Sequence, residues 1–462
     1  MNTVQSSLNV DQLKAAFVGS VITPADADYD KVRRGYNLSI DHHPALVLVP
    51  QSAQDVVAGV RFARDNGLGI AILSTGHGQQ SSVGEDAVLF VTSQMRGVDI
   101  DPAARTARAE AGVLWEQVIN AGGKYGLAPL NGSSPHVGVV GYTLGGGIGW
   151  LARKYGLAAD SVRSIELVTS DGELRHASPS ENSDLFWALL GGNGNFGVVT
   201  AIEFSLHPVE KIYGGSLIYP AELARDALRF YRNWVATVPD ELTSSIIIVK
   251  FPNAPVVPEP LRGKIQVIVR AVYVGDASEG AQWVQPWLDW NAPLQNTFTE
   301  LPYTEIGVVS SDPTDPAAVS GSNELLDNLS DEAIDVIVRY ATNPESPLLL
   351  NEIRHGGGAM RRVAKNANAI GSHDVEFYLQ MGGRTPTPEV YNAVQTYFRR
   401  YRADLKPYTN GSIYPNFHSN SDAPSRVKDA YLPEAYERLV ALKQKYDPQN
   451  AFRYSFQIVP QS

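Results

Sequence analysis

Residues 70–80 read Ile70-Ala71-Ile72-Leu73-Ser74-Thr75-Gly76-His77-Gly78-Gln79-Gln80, a short apolar strand that leads into a loop with a histidine between two glycines. Glycines on both sides allow the backbone to take positive φ and to approach a bulky ligand closely. Ser74, Thr75 and consecutive backbone N–H groups are suited to line an anion such as a pyrophosphate. We therefore expect the loop to present His77 to a phosphate-bearing cofactor.

Strands and helices alternate around this loop. The apolar run 44–50, bounded by prolines, predicts a buried strand. Ser52 and Asp55 have the spacing of a capping box that opens a helix through Asn66, and Gly67 ends that helix. Further strands are expected at 70–73, 87–91, 107–111, 162–169 and 198–206, with helices at 113–124 and 184–190, the latter capped by Asn182 or Ser183. This mixture predicts an α+β arrangement.

Size and composition exclude several classes of protein. The chain has 462 residues, a net charge of −11 and no cysteine. This length exceeds what one hydrophobic core usually supports, so two domains are expected. Acidic residues form no blocks, which argues against nucleic acid or a membrane as partner and favours a small-molecule substrate. Because thiolate chemistry is excluded, any redox chemistry must use a bound organic cofactor.

The N-terminal residues lack a charged leader followed by an apolar core, and no run approaches the length that spans a membrane. These features predict a soluble, cytoplasmic protein, as a monomer or a homodimer. His42, His43 and His355 fit loop or packing roles, and no histidine pair has the spacing of a zinc site, so no catalytic metal is expected.

The pattern changes at about residue 210, where long β-branched runs begin. Ser244–Val249 and Lys264–Val274 predict strands joined by a proline-rich hairpin loop, 251–261. Residues 310–323, rich in Ser, Asp, Pro and Gly, predict a mobile surface loop able to cover a site. Helices are expected at 387–403 and 433–445. These changes divide the chain into residues 1–208, 209–406 and 407–462.

Two glycine clusters require comparison with the dinucleotide fingerprint. Gly192-Asn193-Gly194-Asn195-Phe196-Gly197 matches G-x-G-x-x-G but follows a helix and precedes a strand. A Rossmann site needs the reverse order, in which the pyrophosphate meets a helix N-terminus, so nicotinamide binding is not predicted. The second cluster, 145–149, lacks the spacing because Trp150 replaces the final glycine. Turns alone do not readily explain three glycine-dense segments.

Four motifs follow one another along the chain. They are the His77 loop, Asn131-Gly132-Ser133-Ser134-Pro135-His136-Val137-Gly138-Val139-Val140-Gly141-Tyr142-Thr143-Leu144-Gly145-Gly146-Gly147-Ile148-Gly149, Asp184-Leu185-Phe186-Trp187-Ala188-Leu189-Leu190-Gly191-Gly192-Asn193-Gly194-Asn195-Phe196-Gly197-Val198-Val199, and Tyr446-Asp447-Pro448-Gln449-Asn450-Ala451-Phe452-Arg453. Together they resemble the berberine-bridge-enzyme-like branch of the vanillyl-alcohol-oxidase flavoprotein superfamily, with only a loose match over 210–405.

The resemblance implies a particular α+β fold. Residues 1–208, with the return segment 407–462, would form a two-subdomain PCMH-type FAD-binding domain. Residues 209–406 would form a substrate-binding domain with a large antiparallel β-sheet covered by helices.

The resemblance also implies FAD as the cofactor, with His77 bonded covalently to the C8 methyl of the flavin. Relatives often attach a second flavin carbon through a cysteine, but that position is Ser134 here, which implies a single link. Val137 aligns with a position that gates oxygen access and implies an oxidase. The residues expected to contact FAD are His77, Ser74, Thr75, Gly76, Gly78, Gln79, Ser134, His136, Val137, Gly138, Gly141, Tyr142, Gly145, Gly146, Gly147, Gly149, Gly197, Val198, Val199, Tyr414 and Asn416.

Candidates for proton transfer lie on the substrate side. Alternation places Glu376, Tyr378 and Gln380 on one face of a strand. The segment from Tyr414 to Phe417 resembles a family segment whose first tyrosine often acts as base. A phenol with a pKa near 10 needs a stabilised phenolate for that role, which the flavin or Tyr378 would supply. Gln380 is expected to bind the flavin edge or the substrate, and Glu376 is the alternative base.

The resemblance implies an FAD-dependent oxidase that acts on a C–H bond next to oxygen or nitrogen of a sugar, secondary alcohol or amine. Dioxygen would take the two electrons and become hydrogen peroxide. Two alternatives stay open: a dehydrogenase with another electron acceptor, and a flavin-binding relative without catalysis. Plant-type base residues do not transfer intact, because Ile148 and Tyr142 stand where some relatives carry Tyr and His.

Overall fold

A computed structural model describes residues 8–78, 81–255, 257–419 and 423–461. The helices of this part of the chain are α1 Val10–Ala16, α2 Tyr29–Val32, α3 Ala53–Asp65, α4 Trp115–Gly123, α5 Val139–Leu144, α6 Ala152–Tyr155, α7 Ser183–Leu189, α8 Ala224–Val235, α9 Ala277–Trp290, α10 Gly307–Ser310, α11 Asp331–Ala341, α12 Pro388–Leu405, α13 Ala423–Arg426 and α14 Pro433–Tyr446. The predicted helices near 113–124, 387–403 and 433–445 are confirmed as α4, α12 and α14.

The strands are β1 Ser20–Ile22, β2 Leu46–Val49, β3 Gly69–Leu73, β4 Ala87–Val91, β5 Val98–Asp101, β6 Thr106–Glu110, β7 Leu127–Ala128, β8 Val162–Val168, β9 Leu174–Ala177, β10 Val198–Ser205, β11 His207–Pro208, β12 Lys211–Pro220, β13 Leu242–Lys250, β14 Ile265–Tyr273, β15 Gln295–Asn296, β16 Thr299–Pro302, β17 Val319–Leu326, β18 Leu350–His355 and β19 Phe377–Arg384. Most of them belong to three sheets of four, five and eight strands.

The four-stranded sheet carries the His77 loop at the end of an edge strand. Its order is β1-β2-β4-β3, with β2, β4 and β3 parallel. Helix α3 packs on this sheet and begins as predicted, because Ser52 Oγ accepts the Asp55 N–H at 3.2 Å. It ends where Gly67 takes a φ of +65°. Because β3 is an edge strand, no further strand of this sheet lies beside the start of the loop after Leu73.

The five-stranded antiparallel sheet, β5-β6-β10-β8-β9, forms the second subdomain. Helices α4, α5 and α7 contribute apolar side chains to its core, among them Trp115, Leu144 and Phe186. The predicted side-chain cap of α7 is wrong. Asn182 takes a left-handed φ of +47°, and its amide donates to His176 O at 2.7 Å instead of capping the helix.

The eight-stranded sheet is antiparallel throughout and lies within the predicted 209–406 segment. Its path is β15-β12-β14-β13-β18-β19-β17, and β16 also pairs with β12. Apolar side chains on one face of the sheet, among them Leu217 and Leu379, pack against α8, α9, α11 and α12. Trp287 of α9 and Phe398 of α12 belong to the same core. The predicted helix-covered antiparallel sheet is therefore confirmed, whereas the domain boundaries stay a prediction.

Residues 310–323 are not one surface loop, because strand β17 begins at Val319. Ser320, Ser322 and Asn323 are buried despite their polarity. Ser320 Oγ donates to Ser419 O at 2.8 Å, and the Asn323 side chain bonds the backbone of Tyr414. Polar composition predicted a loop here because the sequence did not reveal these buried hydrogen-bond partners.

Residues in and beside the large sheet contact the predicted FAD-binding part of the chain. Trp150 Nε1 donates to Ser310 Oγ at 3.1 Å, and Tyr303 Oη donates to Asn131 Oδ1 at 2.6 Å. Arg153, which is buried, donates to the carbonyl of Leu242 at 2.9 Å. The described helices include none that is long and apolar enough to cross a membrane.

Candidate functional site

The short helix α5 joins the two halves of the candidate site. At its start, a Cβ added to Gly138 would lie 2.7 Å from Ser74 Oγ in the His77 loop. Just beyond its end, a Cβ on Gly145 would lie 1.9 Å from Asn416 Oδ1. Six helical residues span about 9 Å. The His77 loop and the Tyr414–Phe417 segment therefore stand roughly one helix length apart along the same wall.

His77 is a neutral imidazole held in a fixed plane. Its ring stacks on Tyr36, with 3.8 Å between centroids and 13° between planes. Nδ1 lies 2.9 Å from Thr75 Oγ1. Burial, with a smaller contribution from nearby His136, lowers the pKa of His77 to about 4. At neutral pH a ring nitrogen thus keeps a lone pair for bond formation.

Two glycines of the predicted cofactor site border open space. Cβ atoms added to Gly78 and Gly141 would meet no atom within 4 Å. Both are exposed, Gly78 in the His77 loop and Gly141 on α5, so a ligand can approach the backbone at either position. In contrast, Cβ atoms on Gly145, Gly147, Gly149 and Gly197 would collide with protein atoms. Packing within the protein explains these four glycines, and their contact with FAD stays a prediction.

The remaining predicted cofactor residues fall into a few places. Gly76, with φ of +81°, allows close approach of Gly35, whose Cα would lie 2.7 Å from an added Cβ. Val198 and Val199 are buried in β10, and Ser134 and Val137 are half-buried just before α5. Gln79 lies outside the described residues. His136 is largely exposed, 3.5 Å from Glu116.

A polar row on the large sheet faces this wall. Gln380 pairs in register with Glu352 on one side and Asn323 on the other. Tyr378 pairs with Arg354 in the next row on the same face. Tyr378 packs in a core shared with residues of the FAD-binding part, so this face is the one turned toward α5. The alternation predicted from the sequence is confirmed for Tyr378 and Gln380.

Arg354 is a cation on this face, with 15% of its side chain exposed. Its Nε donates to Glu352 Oε2 at 3.0 Å, and its guanidinium carbon lies 5.0 Å from the centre of the Phe417 ring. Nη2 reaches Ser133 Oγ at 3.3 Å. Burial alone would lower the pKa of Arg354, but the Glu352 carboxylate raises it above its usual value. Burial would raise the pKa of Glu352, but Arg354 and Arg270 hold it below its usual value. The pair is therefore charged.

Tyr414 is fully buried at the end of the α5 wall. Asn323 bonds both its backbone N–H and its carbonyl. Its ring meets Tyr378 edge-on at 5.6 Å, and its hydroxyl makes no hydrogen bond of normal geometry to a described residue, the backbone N–H of Gly147 being a nearby donor. Burial raises the pKa of Tyr414 well above 10, with Tyr142 and Tyr378 adding to the rise, while the Gly147 N–H and Arg354 act in the opposite direction.

Tyr142 carries a second buried hydroxyl without a hydrogen-bond partner among the described residues. It lies on α5, where its ring meets Trp115 edge-on at 5.7 Å. Burial raises its pKa, and Arg354 again acts in the opposite direction. The site therefore contains two buried phenol hydroxyls without a hydrogen bond of normal geometry, those of Tyr142 and Tyr414. Arg354 acts to lower the pKa of both. Two polar hydroxyls left open in a buried wall fit a site for a cofactor and a polar substrate.

Two predicted catalytic roles are corrected by the geometry. The Tyr378 hydroxyl donates its proton to Ser372 O, so it is not available to stabilise a phenolate at Tyr414. Glu376 is bound by Arg361 at 2.6 Å and lies 3.4 Å from His355. These partners, led by His355 and against the effect of burial, lower its pKa to about 2, which makes Glu376 a poor base.

Sequence reasoning missed Tyr36, Asn323 and Arg354. Arg354 and Glu352 lie two positions apart in β18, a spacing that places their two charges on one face of the strand. Asn323 carried no signal, because its neighbours read as a loop. Among the described residues there is no group of three or more histidine, aspartate or glutamate side chains arranged to hold a metal ion.

Comparisons with known proteins agree with this geometry. A family described as FAD binding domain matches residues 44–178, and one described as berberine and berberine like matches residues 413–458. The two matched ranges contain His77 and Tyr414, respectively.

The chain is also similar to characterised enzymes over nearly its whole length. It is 28% identical over 476 residues to (R)-6-hydroxynicotine oxidase from Paenarthrobacter nicotinovorans, covering 96% of this chain and 97% of that protein. It is 27% identical over 459 residues to glucooligosaccharide oxidase from Sarocladium strictum, covering 92% and 89%. The crystal structure of 6-hydroxy-D-nicotine oxidase from Arthrobacter nicotinovorans superposes with a TM-score of 0.84 at 25% identity, covering 96% and 98%.

Proposed function

We propose that the chain is a berberine-bridge-enzyme-like oxidase with FAD linked covalently through His77, a proposal supported by the two family matches and by the similarity to the oxidases named above. Its substrate is a small molecule with a C–H bond next to oxygen or nitrogen: a sugar, a secondary alcohol or an amine. Dioxygen is the electron acceptor and hydrogen peroxide the second product. The sugar and amine classes come from the relatives named above.

The observation that carries the proposal is the neutral His77 imidazole beside open space. A histidine with a pKa of about 4 holds a ring lone pair at physiological pH, which a covalent link requires. The space beside Gly78 and Gly141 gives the cofactor room along α5. FAD, when bound, accepts a hydride from the substrate and passes two electrons to the acceptor.

The chain's own contribution to the reaction is to place the substrate and to take its proton. We assign proton acceptance to Tyr414, whose hydroxyl makes no hydrogen bond of normal geometry to a described residue. Burial opposes the phenolate, so the role depends on Arg354 and on the Gly147 N–H, the two groups that favour the charged form. We expect Gln380 and Tyr142 to bind polar groups of the substrate. Arg354 thus replaces Tyr378 as the group that supports the base.

A substrate panel tests the function directly. The purified protein should be yellow, and its flavin should stay with the precipitate after acid treatment. Under anaerobic conditions, aldoses and oligosaccharides, secondary alcohols and secondary amines are added separately while flavin absorbance is followed. We expect one class to bleach the flavin, and admission of air to restore the colour with one hydrogen peroxide per substrate.

The panel also separates the alternatives. Bleaching that air reverses only over many minutes, while an artificial acceptor restores the colour quickly, would assign a dehydrogenase. A flavin that no member bleaches would favour a binding protein. A colourless protein that takes up no added FAD would overturn the proposal.

A further inference from the structure

Tyr36 is the residue in closest ring contact with His77. The two rings are nearly parallel, with 13° between planes and 3.8 Å between centroids. Tyr36 is half-buried and lies 41 positions before His77, in the segment between α2 and β2. Stacking at this separation covers one face of the imidazole completely enough to fix the plane of the ring.

The backbone holds Tyr36 against the His77 loop. The Tyr36 N–H donates to Thr75 O at 2.8 Å, and the Asn37 N–H donates to Gly76 O at 3.3 Å. Gly76 takes a positive φ, and any Cβ there would fall 2.7 Å from Gly35 Cα and 2.9 Å from the Tyr36 nitrogen. The glycine before His77 therefore serves this close approach.

The large-sheet domain fixes the other side of Tyr36. Its carbonyl accepts the Ala317 N–H at 3.0 Å, and its hydroxyl donates to Pro313 O at 3.0 Å. Asn37 Oδ1 accepts the Val319 N–H at 3.2 Å. These hydrogen bonds with residues 313–319 therefore fix the position of Tyr36 and its neighbour Asn37. The stacked ring is supported from both domains, so its orientation is determined by the whole fold and not by a loop alone.

We propose that Tyr36 is a positioning residue for flavin attachment, whose ring face holds the His77 imidazole in the plane from which it bonds to the flavin C8 methyl carbon. The inference rests on the covalent link in the proposed function. In this step one histidine N–H bond and one methyl C–H bond break, and one N–C bond forms. The two protons and two electrons released reduce the flavin ring, and dioxygen takes them up to give hydrogen peroxide.

The physical reason is the geometric demand of bond formation. A ring nitrogen must point its lone pair at the methyl carbon, and a misplacement of about 1 Å can cost 10²-fold in rate. Without the stack, the imidazole gains rotational freedom about two side-chain torsions. Loss of the flat face should therefore slow attachment about 10- to 100-fold while FAD binding, which uses the rest of the site, persists.

The test compares Tyr36→Leu with Tyr36→Phe. Phenylalanine keeps the stacked face and loses only the bond to Pro313 O, whereas leucine fills the space without a flat face. Tyr125→Leu, at a tyrosine that is 55% exposed, is the matched control. Each protein is produced under riboflavin depletion so that it is purified without flavin and is then incubated with FAD in air; the flavin that stays with the acid precipitate is measured against time, beside the total flavin bound.

We expect wild type, Tyr36→Phe and Tyr125→Leu to carry covalent flavin to the same extent. Tyr36→Leu should bind FAD at full occupancy but release it in acid, and should form the link at least 10-fold more slowly. Equal attachment rates in Tyr36→Leu and wild type would overturn the inference and leave the proposed function standing. Complete release of flavin from wild type would instead refute the covalent link, and the inference with it.

A second variant covers the case in which the leucine protein binds no FAD. Tyr36→Met offers a flexible side chain of similar reach and tolerates irregular packing better. The same slow attachment at full FAD occupancy is expected. Attachment at the wild-type rate in this variant, which also lacks a flat face, would count against the role of the stack.

Discussion

Asn323 holds the backbone of Tyr414 from both directions: its Nδ2 donates to Tyr414 O at 3.0 Å, and its Oδ1 accepts the Tyr414 N–H at 2.6 Å. Both residues are fully buried. One belongs to the large sheet and the other to the C-terminal segment that returns to the FAD-binding part. The position of the candidate base therefore depends on a side chain from the other domain.

Replacing Asn323 should displace Tyr414 without removing it. In Asn323→Ala the Tyr414 N–H and carbonyl lose their buried partners, at about 1–3 kcal/mol each in unfolding free energy. We expect the rate of anaerobic flavin reduction by substrate to fall, while flavin content is retained. Denaturant unfolding and stopped-flow reduction measure the two effects. Asn296→Ala, at an exposed asparagine that accepts one N–H from Phe298, is the control and should change neither.

Tyr414→Phe tests the assigned base. Loss of a positioned base typically costs about 10²–10⁴-fold in rate. We expect the anaerobic reduction rate to fall by this factor, with flavin content and reoxidation by dioxygen nearly unchanged. Tyr378→Phe is the matched control, because it removes a buried phenol in ring contact with Tyr414 whose proton is already donated to Ser372 O. A reduction rate for Tyr414→Phe within about threefold of wild type would remove Tyr414 from the base role.

The fold and the position of the His77 loop could be predicted from the sequence, and the charge environment of Tyr414 could not. Hydrophobic periodicity and glycine punctuation are local signals, so β2, β3, β4, α3 and the His77 loop could be placed from short windows. Tyr378 and Gln380 were placed on one face because strand alternation is also local. The effect of Arg354 on the pKa values of Tyr142 and Tyr414 depends on how distant segments pack together. The bonds of Tyr378 to Ser372 and of Glu376 to Arg361 depend on the conformation of the chain that leads into β19. The alternation along the strand fixes which face each side chain lies on, but it does not determine which partner that side chain meets.

The rate of flavin attachment should be nearly constant from pH 8 to about pH 5 and decline as the pH approaches 4. The reason is that burial holds the pKa of His77 at about 4, below its ordinary 6.5, so the neutral nucleophile persists until the pH nears that value. Attachment of added FAD is measured by acid precipitation at each pH. A decline with a midpoint near 6.5 would mean that the imidazole is solvated before FAD binds, contrary to the buried position described above.

Val137→Leu should slow oxygen use selectively. Val137 is half-buried just before α5, where its carbonyl accepts the Trp115 N–H at 3.1 Å. The additional methylene of leucine should narrow the path by which dioxygen reaches the flavin, without altering the hydrogen bond from Trp115. We expect slower reoxidation of the reduced flavin in air-saturated buffer and an unchanged rate of reduction by substrate. Val140→Leu, one turn along α5 on a buried face, is the comparison. Equal slowing of reduction and reoxidation in Val137→Leu would indicate a general packing defect instead.

Arg354 should set the pH dependence of substrate oxidation. It is the cation that favours the charged forms of Tyr414 and Tyr142, both of whose pKa values burial raises. Its removal should raise the pKa of Tyr414 further, because less positive charge then opposes burial. The deprotonated base is consequently scarcer at any given pH. The rising limb of the reduction rate against pH should move to higher pH, and the rate at pH 7 should fall.

The single variant Arg354→Met also leaves Glu352 buried without its partner, which costs about 3–5 kcal/mol of stability. The double variant Arg354→Met, Glu352→Gln removes that unpaired charge and should recover most of the stability. Its pH profile should nevertheless keep the alkaline shift, since the cation is still absent, whereas Arg354→Lys should retain the wild-type limb. The measurement is the anaerobic flavin-reduction rate of each variant between pH 6 and 10. A double variant with the wild-type profile would show that Arg354 serves the packing of the sheet alone.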